Sequence, residues 1–325
     1  MKKFLCIFLI LIMTLFALVG CNKDLATSFT DRWTADESFT YNVSLLDESA
    51  EEPYKAYNID FKDIVGVQVK PDAILPGSTF TYSIKSSNDT WILTQNLTVI
   101  QTYKASSLST NWTEIIPSDC YTPGEDVSFT STMTSTAVFK YFSNGGTMIS
   151  SEKIVKSIFV NKGEDSNNIS YNDYKVAVKY DNNKATTTFT DNNINSEWNK
   201  PVSKTVDLDK KSLTIDNEVF FMALRAYNLD NVVENGQASF SVYNGLDMAP
   251  TTVNVSATKK FDLKTEGGDG PLFYHLAVAP STSTLYPYYF SFETTETGYS
   301  PIAITKKINR YEIAWFCQGY MLFTK

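Results

Sequence analysis

Few residues in this chain are placed to do chemistry. Its one histidine, His275, lies in Leu272-Phe273-Tyr274-His275-Leu276-Ala277-Val278. Two-residue alternation puts it on the face of a strand, and no metal-binding or catalytic partner lies near it in sequence, so it reads as a satisfied or exposed strand histidine. A lone histidine excludes any multi-histidine metal site and weakens the case for a Ser-His-Asp triad. Neither GxSxG nor HExxH occurs. Asp191-Asn192-Asn193-Ile194-Asn195 opens like a calcium loop. Ser196, however, stands where the turn needs Gly, and Val202 where a bidentate Glu should close the site, so the stretch reads as a polar loop. Paired carboxylates such as Asp47-Glu48 and Glu51-Glu52 fall in loop-like sequence, with nothing to set two of them at a glycosidase spacing. With no CxxC or Cys/His cluster, zinc is not expected, nor any other cofactor. These residues predict a protein that is not an enzyme.

The thiol at Cys21 is different. Met1-Lys2-Lys3 is a short basic start, residues 4–19 are almost unbroken apolar sequence, and the run closes on Leu18-Val19-Gly20-Cys21. The pattern resembles a bacterial lipoprotein signal. The basic end stays cytoplasmic, the apolar run enters the bilayer, and small residues admit a peptidase to the backbone. The resemblance implies cleavage before Cys21, a diacylglycerol on its sulfur as the membrane anchor, and a place outside the cytoplasm of a bacterium, Gram-positive by expectation. A plain N-terminal membrane anchor is the alternative, since the run is nearly long enough to span. Cys6 leaves with the signal. Cys120 and Cys317 remain, either as a disulfide in an oxidising envelope or as two small buried hydrophobes.

Lys and Arg number 28 against 36 acids, a net charge of −8, and loss of Lys2 and Lys3 makes the mature chain more acidic still. Such a body is repelled by an anionic bilayer, and it has no basic stripe for nucleic acid. The 325-residue length allows one large β domain or two smaller ones.

The elements that must position these residues are mostly strands. After a polar, unpatterned tether over 21–38, Phe39-Thr40-Tyr41-Asn42-Val43-Ser44-Leu45 alternates strictly between apolar and polar. The pattern recurs at 79–83, 98–103, 127–132, 137–142, 154–160, 175–180, 185–190, 239–243, 252–257, 273–278 and 288–293, and residues 308–323 end the chain with apolar and aromatic sequence. Pro, Gly, Asn and Asp clusters punctuate these runs. One segment breaks the rhythm. Asp216 caps a predicted helix over 216–227, with Ile215, Val219, Met222 and Ala226 at helical spacing and Phe220, Phe221 and Leu224 widening the apolar face. The expected fold is mainly β: an antiparallel curled sheet or incomplete β-barrel with at least one packed helix. The alternative is two β-sandwich-like domains split near 163–168, where Lys-Gly-Glu-Asp-Ser-Asn-Asn is polar and unpatterned. Resumed alternation on both sides favours one sheet.

Asp216-Asn217-Glu218-Val219-Phe220-Phe221-Met222-Ala223-Leu224-Arg225-Ala226 resembles the helical segment of bacterial envelope proteins of the DUF3108 and LolA-like lipoprotein-sorting type. Phe240-Ser241-Val242-Tyr243, Thr252-Val253-Asn254-Val255, Pro287-Tyr288-Tyr289-Phe290-Ser291-Phe292 and Ser300-Pro301-Ile302-Ala303-Ile304 resemble their later strands. The likeness covers less than half of the chain. It departs at Glu266-Gly267-Gly268-Asp269-Gly270, where those proteins carry small residues. It implies a β-barrel left open and curled around a helix, with an apolar hollow that shields acyl chains. Phe220, Phe221, Met222 and Leu224 are then the candidate lining for a lipid or other apolar ligand, or equally ordinary core. The alternative function is a surface adhesion, scaffold or carbohydrate-binding β module. For the last of these, the five tryptophans (Trp33, Trp91, Trp112, Trp198 and Trp315) and the many tyrosines are the candidates.

Overall fold

The computed structural model describes residues 36–46, 74–88, 90–103, 124–140, 148–161, 168–192, 200–209, 214–261, 272–280, 288–295, 298–308 and 311–322. The first eight strands are β1 (Glu37–Leu46), β2 (Ile74–Ser87), β3 (Thr90–Tyr103), β4 (Val127–Lys140), β5 (Met148–Asn161), β6 (Asn168–Asp181), β7 (Lys184–Asp191) and β8 (Val202–Asp207). A short strand, β9 (Thr214–Asp216), leads into helices α1 (Asn217–Ala226) and α2 (Leu229–Asn235). Then come β10 (Ala238–Asn244), β11 (Ala249–Phe261), β12 (Leu272–Pro280), β13 (Tyr288–Thr295), β14 (Gly298–Ile308) and β15 (Tyr311–Leu322). The protein is mainly β, with two helices among the described residues.

All fifteen strands lie in one sheet, ordered β8-β7-β6-β5-β4-β3-β2-β1-β15-β14-β13-β12-β11-β10-β9. Every pairing is antiparallel except β9 with β10. The order is that of a meander cut open between β8 and β9, with β1 and β15 zipped together in its middle. β5 and β6, on either side of 162–167, are antiparallel neighbours in this sheet.

Alternation decides what faces inward. Phe39, Tyr41 and Val43 of β1 share one face with Phe80, Tyr82 and Ile84 of β2, and all six are buried. Several strands are longer than their apolar alternation predicts. β4 is one 14-residue strand where the pattern suggested two short ones. Its inward positions include Ser131 and Ser135, and small hydroxyls interrupt the apolar signal without interrupting the ladder. Ser131 meets Ser157 of β5 at 2.8 Å. β1 likewise starts at Glu37, so the last two residues of the expected tether belong to the sheet.

The sheet curls until its ends overlap. On β10, Val242 faces inward to the main core, while Tyr243 faces outward. Tyr243 is nevertheless fully buried, because the inward face of β6 and β7 lies over it. Thr187 of β7 meets the Tyr243 hydroxyl at 2.7 Å, and the Gly245 turn lies against Val176 and Val178 of β6. Among the described residues no ladder joins the two ends. The result is an incomplete barrel, rolled past closure and closed by side chains. Among the described residues, no helix is long and apolar enough to cross a membrane.

Candidate functional site

Helix α1 fills the roll. Its start is set locally: Asp216 is extended (φ −66°, ψ 138°), and its Oδ1 accepts the Glu218 amide at 2.8 Å. Glu218 in the first turn and Arg225 in the last match the helix dipole. Val219, Phe220, Met222, Ala223, Leu224 and Arg225 are all buried, so the apolar surface wraps the helix instead of forming one stripe. Phe220 packs edge-on to Phe240 of β10, and Phe221 edge-on to Tyr82 of β2. α2 continues along the wall. Leu229 and Val232 are buried, and Asp230 accepts from Lys259 Nζ and the Tyr274 hydroxyl, both at 2.7 Å.

Polar clasps hold α1 at both ends. At the N-terminus, Asp216 Oδ2 accepts from Ser151 Oγ of β5 at 2.6 Å and, more closely, from the Tyr180 hydroxyl of β6. Glu218 Oε1 accepts from Lys153 Nζ at 2.9 Å, and Gln95 Nε2 of β3 donates to the Glu218 carbonyl at 2.6 Å. Burial, reinforced by the Glu218 charge, raises the Asp216 carboxyl to about 6 despite these hydrogen bonds. Burial acts upward on Glu218 as well, but the Lys153 ammonium and the hydrogen bonds to the carboxylate, that from Asn217 included, together outweigh it and hold Glu218 below its usual range. Tyr180 is pushed well up, by burial first and the Asp216 carboxylate second.

The C-terminal clasp joins α1 to the start of β1. Arg225 and Glu37 form a two-pronged pair, Nη1 to Oε1 and Nη2 to Oε2, the latter at 3.1 Å. Their side chains are 4% and 2% exposed, which places a full charge pair inside an apolar core. Tyr82 accepts from Arg225 Nη1 at 3.1 Å and donates to Glu37 Oε1 at 3.4 Å. The guanidinium lies 5.3 Å from the centre of the Phe39 ring, and the Phe39 and Tyr82 rings stack at 4.8 Å. Burial disfavours the Arg225 charge, but the Tyr82 and Glu37 oxygens outweigh it and keep Arg225 firmly protonated. Burial likewise pushes the Tyr82 hydroxyl well above its usual range.

The structure brings the four candidate lining residues together in the main core: Phe220, Met222 and Leu224 buried, Phe221 packed against them. A recess beside the N-terminal clasp lies elsewhere. It is lined by Ser151, Lys153, Asp216, Glu218, Asn244 and Leu246 among others, and offers about 10 Å³ to the centre of a water molecule, room for roughly one water. His275 is buried in β12 opposite Thr258. Asn192 ties the end of β7 to Asp173 of β6 through its amide (2.7 Å) and side chain (2.9 Å), and no group of metal-ligating residues occurs among the described residues. Ser150 to Lys153 and Ser256 to Lys259 have the SxxK spacing, but on strands residues three apart face opposite sides, so neither pair meets. Cys21, Cys120 and the Cys317 side chain lie outside the described residues, as do Trp33, Trp112, Trp198 and the Trp315 side chain. Trp91 is buried, and the exposed large apolar side chains among the described residues, Ile154 and Leu246, are not aromatic.

Glu37, Tyr82, Ser151, Lys153 and Arg225 were not singled out by sequence. One signal was present: Glu37 shares the parity of Phe39, Tyr41 and Val43, and Arg225 interrupts an apolar helix. Charges of opposite sign therefore sat on two inward faces.

No known family matches the chain, and no curated protein does. Among solved structures it is similar to a beta-barrel-like protein of domain of unknown function DUF1849 from Brucella abortus. The likeness has a TM-score of 0.47 at 10% identity, over 90% of this chain and 99% of that one.

Proposed function

We propose that this is a non-enzymatic, lipid-anchored protein of the bacterial cell envelope that takes an apolar ligand, a lipid foremost, into the roll, with α1 as its plug. The observation that carries the reading is the way α1 is held. It is apolar all round, yet charged clasps fasten both ends. Buried charges cost desolvation that a purely apolar contact avoids, so such clasps add little net stability and suit an element that must let go and return to one register. The ligand takes the space α1 vacates among Phe220, Phe221, Met222 and Leu224. Cys21 carries the diacylglycerol anchor. Its replacement by Ala is expected to move the protein from the membrane to the soluble fraction on cell fractionation.

A second reading, an adhesion or scaffold module, draws on the outer face of β2–β4. There Thr79, Thr98 and Thr132 lie in one cross-strand row, and Thr81, Asn96 and Thr134 in the next.

Native mass spectrometry of residues 22–325 purified without detergent, paired with an organic extract, separates the two. An extra mass that extracts as lipid, and is lost in Met222→Glu with the far-UV spectrum unchanged, supports the carrier. A bare protein mass that takes up neither fatty acid nor neutral lipid removes it and brings the hydroxyl-rich face forward.

A further inference from the structure

We infer that the Arg225–Tyr82 cradle is the head-group site of the proposed carrier, that its ligand is a long-chain carboxylate, and that Glu37 is the internal carboxylate holding the place. The inference rests on the carrier reading and names its ligand class.

The geometry is that of carboxylate recognition. The Arg225 guanidinium presents two N–H groups to the two oxygens of one carboxylate, and the Tyr82 hydroxyl adds a third donor. Paired, parallel hydrogen bonds of this kind select a planar, two-oxygen anion over a point charge. The surroundings suit the rest of such a molecule. Phe39, Phe221 and Met222 flank the cradle, with the Met222 sulfur 3.9 Å from Arg225 Nη1, so an alkyl chain leaving the head group meets apolar side chains at once.

The present occupant is poorly suited to permanence. Glu37 is the first residue of β1, where the ladder to β2 and β15 begins, and Asp36 before it has positive φ (62°). Its side chain can leave without unpairing the strand beyond it. Exchange of one carboxylate for another leaves the Arg225 charge paired throughout, so the desolvation already met in folding is not met again. Because Glu37 ties α1 to β1, the same exchange releases the C-terminal clasp of the plug. Head-group recognition and opening are one event.

The test compares hexadecanoate with its uncharged methyl ester on residues 22–325, in the wild type, Glu37→Ala, the isosteric Glu37→Gln, and the double variant Arg225→Leu/Glu37→Leu. The double variant replaces the pair by apolar groups and so retains a filled core. The wild type is expected to bind the acid at least about tenfold more tightly than the ester, a difference of about 1.4 kcal/mol. Glu37→Ala is expected to bind the acid more tightly still, and its melting temperature should be restored by the acid and not by the ester. If Glu37→Ala does not fold, Glu37→Gln carries the same comparison. The double variant is expected to bind both ligands within about twofold. Equal binding of acid and ester by the wild type, with the ratio unmoved in the variants, would overturn the head-group site and leave the carrier standing. Failure of every protein to take up either ligand would sink both.

Discussion

Burying Arg225 against Glu37 takes two full charges out of water, and their mutual contact, the Tyr82 hydroxyl and the Phe39 ring face offset part of the cost. Arg225→Leu alone strands the carboxylate and is expected to destabilise by about 3–5 kcal/mol. Adding Glu37→Leu should recover most of that loss, as urea unfolding of both variants would show. Asp216 supplies a pH signature. Its folded value of about 6 lies above the unfolded 3.8, so between those limits the native state holds a proton that the unfolded chain has lost. The contribution is therefore fully present below about 4 and disappears as pH rises through 6, a loss on the order of 3 kcal/mol. Glu218 runs the other way, contributing stability above its ordinary range that is lost in acid. Asp216→Asn keeps a capping side chain, and its urea midpoint should vary less than the wild type's between pH 4 and 7. An unchanged pH profile would mean that Asp216 is not the titrating group.

At the scale of elements, α1 was legible because its cap, its acidic first turn and its apolar spacing agree. Asp216 and Tyr227 cap it, inside the expected span. α2 was not read from sequence, since its seven residues are too few to show a period. The long strands were legible only where inward positions were apolar, and Ser131 and Ser135 hid the continuity of β4. The overlap of the roll depends on one missing side chain. A Cβ at Gly245 would lie 2.8 Å from Val176 Cγ1 and 3.1 Å from Val178 Cγ2. Gly245→Ala is expected to cost about 1–3 kcal/mol through overpacking. It should also loosen β6–β8 from β10, seen as faster tryptic cleavage at Lys175, Lys179 and Lys184. Cleavage no faster than in the wild type would show that the overlap tolerates the methyl group.

At the scale of the molecule, β1 and β15 meet in the middle of the sheet although they come from opposite ends of the described chain. Half of the meander cannot join the other until residues 311–322 are in place, and pairings this distant in sequence fold slowly. Refolding is expected on a timescale of about seconds or longer. A chain ending before Tyr311 exposes the edges of β1 and β14 and should aggregate. A soluble truncated chain with a native far-UV spectrum would show that the two halves do not need the zip.

By itself the sequence determined the alternation, the turns, the capped apolar helix and the fold class, because these rest on periods of two and 3.6 residues that neighbours along the chain already express. It also carries a single histidine and no metal-ligand spacing. Only the tertiary structure decided which strands meet, how far the sheet rolls, and that Glu37 faces Arg225 across 188 positions of chain. Those outcomes depend on burial and on charges brought together from distant segments. No local period encodes them. Glu37 looked like the end of a polar tether until a second strand, an aromatic ring and a buried guanidinium closed around it.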